Sequence, residues 1–135
     1  MTYALVVRTP SQDDYLRLRI VSGMTPKQAD AAARGLPNTL YGVVIEHDGR
    51  AVGMGRIIGD GGLFYQITDI AVEPAHQGEG LGKRIMGALV DWLKETAPPS
   101  AYVSLIADGE ANRLYAQFGF EPTAPRSVGM AMLIR

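Results

Sequence analysis

The segment Gln77-Gly78-Glu79-Gly80-Leu81-Gly82 constrains this chain more than any other. It lies between a strand-like run, Gln66 to Val72, and a run with the period of an amphipathic helix. Alternating glycines allow positive φ and leave the backbone amides uncovered by Cβ atoms. Where such a turn opens a helix, the free N–H groups and the helix dipole favour an anion, and a pyrophosphate fits that description. Spacing excludes the two best-known glycine loops. A dinucleotide fingerprint needs a glycine three residues after Gly80, where Lys83 stands, and a Walker loop needs Ser or Thr after Gly82-Lys83, where Arg84 stands.

A chain of 135 residues is long enough for one domain with a real core, and we read residues 1–135 as that single domain. Its apolar and charged fractions, 47% and 20%, are those of a globular protein. Thirteen basic residues against fourteen acidic ones give a net charge of −1, so no basic surface points to nucleic acid or to an anionic membrane. With no cysteine there is no disulfide, no thiolate metal site and no route for acyl transfer through a Cys-bound intermediate. The N-terminus lacks a basic leader, no apolar run approaches a membrane span, and the cytoplasm is the expected compartment. His47 and His76 read as isolated, without a second ligand at metal spacing, and no metal is expected.

Leu5 to Arg8 reads as a first strand, and Ser11 as the cap of a first helix with an acidic opening turn. Thr25 is the expected N-cap of a second helix, with Pro26 at its first position and Gln28 three residues after the cap. Leu40 to Glu46 and Ala51 to Ile58 are β-rich runs joined by Asp48-Gly49, a type I′ hairpin signal. Gly59-Asp60-Gly61-Gly62 then turns the chain into Leu63 to Val72. Beyond the glycine loop, Leu81, Ile85, Ala88, Leu89, Trp92 and Leu93 recur at helical spacing until Pro98-Pro99 forbids continuation. Ala101 to Ala107 follows as a strand parallel to the one before the loop. Asp108 can cap a last helix carrying Ala111, Leu114 and Phe118, with Gly119 at its C-terminal turn, and Val128 to Ile134 closes the chain as a strand. The expected fold is α/β: a central mixed, mostly antiparallel sheet of about six to seven strands with helices on both faces.

Asp69-Ile70-Ala71-Val72-Glu73-Pro74 ahead of Gln-x-x-Gly-x-Gly, together with Tyr115-Ala116-Gln117-Phe118-Gly119-Phe120, resembles the GCN5-related N-acetyltransferase superfamily. Locally the loop is similar to glucosamine-6-phosphate N-acetyltransferases, although Thr68 stands where these usually have a second acidic residue. The resemblance implies the acyl-CoA N-acyltransferase fold, with acetyl-CoA as donor, splayed parallel strands and a β-bulge near Asp69. It further implies that the loop from Gln77 through Gly78, Glu79, Gly80, Leu81 and Gly82 to Lys83 holds the CoA pyrophosphate. Main-chain groups of Ile70, Ala71 and Val72 would pair with the pantetheine arm as with an added strand, and Asn112 would hydrogen-bond that arm.

On the same basis Tyr115 is the candidate acid for the departing thiolate, because a phenol stays protonated where a thiol has already ionised. Amides near Ile70 would stabilise the oxyanion. Asp69 is the candidate base, the alternative being that its carboxylate holds the bulge. Glu46 and Glu73 fall at element ends and read as solvated. Tyr41, Arg56, Phe64 and Gln66 are candidates for framing the acceptor. The function expected is transfer of an acetyl group directly to a primary amine of a small molecule, such as an amino sugar or polyamine. A peptide N-acetyltransferase and a non-catalytic acyl-CoA sensor are the alternatives. The apolar segment 128–134 suggests a homodimer.

Overall fold

The computed structural model describes residues 2–135, in two compact units of which the first ends at Leu105 and the second begins at Ile106. The first unit carries one five-stranded sheet in the order of the sequence: β1 (Ala4–Val7), β2 (Tyr41–His47), β3 (Arg50–Gly59), β4 (Phe64–Val72) and β5 (Tyr102–Ser104). β1 to β4 pair antiparallel, and β5 runs parallel to β4. The mixed, mostly antiparallel sheet is as expected, with five strands in place of six to seven.

Short-range chemistry accounts for the meander. Asp48 and Gly49 both have positive φ, 52° and 74°, as a type I′ turn requires, and the two strands they join pair from His47↔Arg50 outward. At the next turn Asp60 Oδ1 accepts from the amides of Gly62, Leu63 and Phe64 at 2.8, 2.8 and 3.1 Å. Those three bonds, Gly62 first, hold the Asp60 carboxyl below its usual range.

Helix α1 (Gln12–Val21) begins as its sequence predicts, with Ser11 Oγ accepting from the Asp14 amide at 3.1 Å. Helix α2 spans Ala29–Gly35, later than the Thr25-Pro26 signal predicts. The Thr25 carbonyl is taken by Arg19 Nε at 2.7 Å, so Gln28, whose carbonyl receives the Ala32 amide, caps the helix instead. Against one face of the sheet α1 and α2 bury Tyr15, Leu18, Ala32 and Leu36 together with Val44, Met54 and Ala71.

Helix α3 (Leu81–Thr96) covers the other face, burying Leu81, Ile85, Met86, Leu89, Val90 and Leu93. Full burial of each such aliphatic side chain contributes roughly 1.5–3 kcal/mol. It approaches so closely at Gly55 that a Cβ there would lie 2.5 Å from Ile85 Cγ2. Met54 and Gly55 thus face opposite helices, as the two-residue period of a strand demands.

The second unit carries helix α4 (Asn112–Ala116). Its end is the expected glycine turn: Gly119 has φ 92°, its amide donates to Ala116 at 3.1 Å, and that of Phe120 donates to Tyr115 at 3.4 Å. The expected cap does not form, since Ala111 occupies the N-cap position in place of Asp108. Nor does Val128 to Ile134 form a strand, because a strand exists only where a neighbour takes its N–H and C=O groups. Val128, Met130, Met132 and Ile134 are exposed.

Candidate active site

The site of the first unit is built on an irregularity in β4. Met54 pairs with Ala71 and Arg56 with Thr68, so two steps along β3 match three along β4. The extra residue is the expected bulge, and Asp69 sits in it at φ 60°. Strict alternation from Thr68 would send Asp69 toward α3; the extra residue turns it instead toward α1 and α2.

There the buried Asp69 carboxylate is fully engaged. Oδ1 accepts from Tyr15 Oη at 3.0 Å and from Arg19 Nη1 at 2.7 Å, and Oδ2 accepts from Arg56 Nε at 2.9 Å. Burial, then the Asp69 charge, pushes the Tyr15 phenol up from its ordinary value, so it donates as a neutral hydroxyl. Taking a proton on Asp69 would unpair a buried guanidinium, a costly exchange for a base. Neither Tyr15 nor Arg19 was singled out from the sequence. The available signal is their i, i+4 spacing on the α1 face that also buries Leu18.

Glu73, read as solvated, is in fact buried and holds Arg17 and Arg50, the latter at 2.7 Å. Arg17 also donates to the Ala51 carbonyl at 2.7 Å, so the pair ties α1 to the end of β4. Glu46 pairs with Arg8 at 3.1 Å.

β4 and β5 pair only from Phe64↔Tyr102 to Gln66↔Ser104, and β4 runs on to Val72 with no β5 partner. That unpaired edge, with Ile70 and Ala71 on it, is the gap expected between the parallel strands. The Val72 carbonyl is already used, accepting from Gln77 Nε2 at 3.2 Å and Ser22 Oγ at 3.4 Å. Gln77 therefore ties the glycine loop back to the strand.

A single 3-10 turn, Pro74–His76, leads into the loop. Gly78 and Gly80 have φ 86° and 75°, and a Cβ on either would meet no atom within 4 Å. Among the described residues, no amide from Gly78 to Lys83 donates a hydrogen bond; the first to do so is that of Arg84, to Gly80 at 3.1 Å. The loop is thus a bare row of donors at the N-terminus of α3, with nothing over it where side chains would otherwise stand. These features suit a pyrophosphate, and the donor of an acyl-CoA brings one.

Tyr115 and Asn112 belong to the second unit, on α4, with Tyr115 half-buried and Asn112 exposed. Burial, then the charge of Asp108, pushes the Tyr115 phenol above its ordinary value.

The structure separates the acceptor candidates. Arg56 faces α1 and α2, whereas Tyr41 stacks on Trp92 of α3 with ring centroids 5.1 Å apart. Phe64 meets Tyr102 edge-on at 6.3 Å, and both are exposed. The histidines, read as isolated, are neighbours: their rings lie 5.1 Å apart, with Tyr3 Oη 2.9 Å from His76 Nδ1. Among the described residues no group of three His, Cys, Asp or Glu side chains could hold a metal ion. No described helix is long and apolar enough to cross a membrane.

Bulge, gap and glycine loop, in this order on a mixed sheet covered on both faces, define an acyl-CoA N-acyltransferase fold. Residues 38–122 match the acetyltransferase (GNAT) domain family, and the chain belongs to it. A Staphylococcus aureus protein of unknown function, described as a probable acetyltransferase, is 45% identical with a TM-score of 0.94, over 98% of this chain and 100% of that one. The glucosamine-6-phosphate N-acetyltransferase of Arabidopsis thaliana shares the fold, at 19% identity and a TM-score of 0.69 over 98% and 99% of the two chains. A Glycine max protein named as a histone acetyltransferase is 32% identical over 81 residues, which are 60% of this chain and 34% of that protein. The chain spans 32% of two other curated relatives.

Proposed function

We propose that this chain transfers an acetyl group from acetyl-CoA directly to a primary amine of a small molecule. The observation that carries this reading is the row of unbonded amides from Gly78 to Lys83 at the start of α3. With acetyl-CoA bound, the thioester supplies an activated carbonyl and a good leaving group. The loop amides would hold the pyrophosphate, and the open edge of β4 at Ile70 and Ala71 would take the pantetheine arm as an added strand. Asn112 is proposed to hydrogen-bond the same arm.

The new N–C bond forms as the C–S bond breaks. Tyr115 gives its proton to the sulfur, the acylated nitrogen loses its extra proton to solvent, and the Tyr115 phenolate takes one back from solvent. The Ile70 amide is proposed to face the carbonyl oxygen on which charge gathers. Holding amine and thioester together can lower the barrier by about 7–11 kcal/mol, more than any single proton transfer. Asp69, engaged by two guanidinium groups and a phenol, is assigned to positioning: it holds the bulge that sets Ile70.

Isothermal calorimetry with acetyl-CoA tests the donor, and heat of binding is expected without added metal. Release of free CoA thiol with a panel of primary amines tests the acceptor. A peptide acceptor is the second reading, favoured by the similarity to the Glycine max protein; a lysine peptide in the panel, turned over faster than every small amine, would establish it. The exposed apolar side chains of Val128, Met130, Met132 and Ile134 support a homodimer as part of this proposal.

A further inference from the structure

The cluster around Asp69 does not balance. Arg19 and Arg56 are 7% and 9% exposed, and both pair with the one carboxylate of Asp69, itself 6% exposed. Two buried guanidinium charges against one carboxylate leave one positive charge over. The neutral partners are used up elsewhere in the cluster: Arg19 Nε donates to Thr25 O at 2.7 Å and Arg56 Nη1 to Thr39 Oγ1 at 2.7 Å. The Tyr15 ring, 5.6 Å from Arg56 Cζ, offsets the excess only in part. An unpaired buried charge costs far more than a paired one, and an incoming anion would remove that cost.

There is room for one beside the cluster. A cavity of 210 Å³ opens between α2 and β3, lined by Tyr15, Lys27, Ala31, Leu36 and Arg56 among others. Its lining holds two cations and no acid. Arg56 Nη2 donates to no described residue, leaving its N–H donors free for an anion. Lys27, on the exposed segment ahead of α2, adds a second charge.

We propose that this cavity takes an anionic group, a carboxylate or a phosphate, carried by the same molecule as the acceptor amine. Arg56 and Lys27 are its specificity determinants. The inference rests on the acetyl-transfer reading and adds to it the chemical class of acceptor.

Matched pairs of amines that differ only in the anion test it: β-alanine against β-alaninamide for the carboxylate, and O-phosphoethanolamine against ethanolamine for the phosphate. In at least one pair the anionic member should be favoured about tenfold or more in kcat/KM. The favoured pair identifies the anion. In Lys27→Met the ratio within that pair should fall toward one, and Arg56→Lys, which keeps the charge but loses the fork, should lower it too. Inorganic phosphate or acetate, whichever matches the favoured pair, should raise the Tm of the wild-type protein and raise that of Lys27→Met less. Acetyl-CoA calorimetry on the same samples separates the two levels. No binding there would sink the acetyl-transfer reading itself, whereas normal binding with neutral amines used as well as anionic ones would overturn the anion site alone.

Discussion

Arg56 Nε donates to Asp69 Oδ2 across 2.9 Å, joining β3 to the residue that β4 holds at φ 60°. A left-handed residue in a strand is unfavourable unless its surroundings over-determine it, and Asp tolerates it better than most. Here the surroundings are three donors: Tyr15 and Arg19 from α1, and Arg56, whose side chain leaves β3 on the face that α1 covers. The bulge therefore exists because the carboxylate is caught, and the edge at Ile70 takes its shape from a charge buried beside it.

Asp69→Asn keeps the tolerance for positive φ while removing the charge that holds Arg19 and Arg56. Unpairing them should lower stability by about 3–5 kcal/mol. Urea unfolding reads this as a shift in midpoint. If Asp69 served only as a base, the variant would unfold at the wild-type midpoint and lose only turnover.

Gly80→Val introduces a β-branched side chain at φ 75°, where no atom of the protein obstructs it but the backbone resists it. The side chain would stand over the loop amides. Acetyl-CoA affinity is expected to fall about a hundredfold, with the far-UV spectrum retained. Wild-type affinity in the calorimeter would mean that the loop is only a turn.

Tyr115→Phe deletes the hydroxyl and keeps the ring. Turnover with an amine whose chemical step is rate-limiting should fall roughly 10²-fold or more, with little change in affinity for acetyl-CoA. Equal rates would remove the hydroxyl from the mechanism.

The pH dependence follows from the same phenol. Burial, then Asp108, raises the Tyr115 pKa above its ordinary 10.0, so the proton is present throughout the neutral range. Its contribution to stability is complete below the unfolded value and fades as pH rises through the folded one, and acid assistance is lost in the same direction. An alkaline limb of kcat that begins well below pH 10.0 and persists in Tyr115→Phe belongs to another group.

Light scattering addresses the homodimer. Twice the monomer mass of 14.5 kDa is expected, reduced to one when Met130 and Met132 are changed to Asp. Only monomer at high protein concentration would end that proposal.

What could be read from the residues alone was local. Ser11 as a cap, Asp48-Gly49 as a turn with two positive φ values, Gly119 as a helix end and the bare amides ahead of α3 all depend on φ, ψ and hydrogen bonds within a few residues. The order of β2, β3 and β4 followed for the same reason, since short turns leave antiparallel neighbours little choice. Tertiary structure decided what distant residues decide together. Thr25 lost its helix because Arg19 takes its carbonyl, and Glu73 left solvent because Arg17 and Arg50 converge on it. Val128 to Ile134 has the apolar character of a strand, but a strand requires a neighbour, and among the described residues none pairs with it. Asp69 shows the division most plainly. Its place before the loop was visible in sequence, but its partners Tyr15, Arg19 and Arg56 are 54, 50 and 13 residues away, and no periodicity connects them. A buried charge is defined by its neighbours in space, which only the folded chain brings into contact.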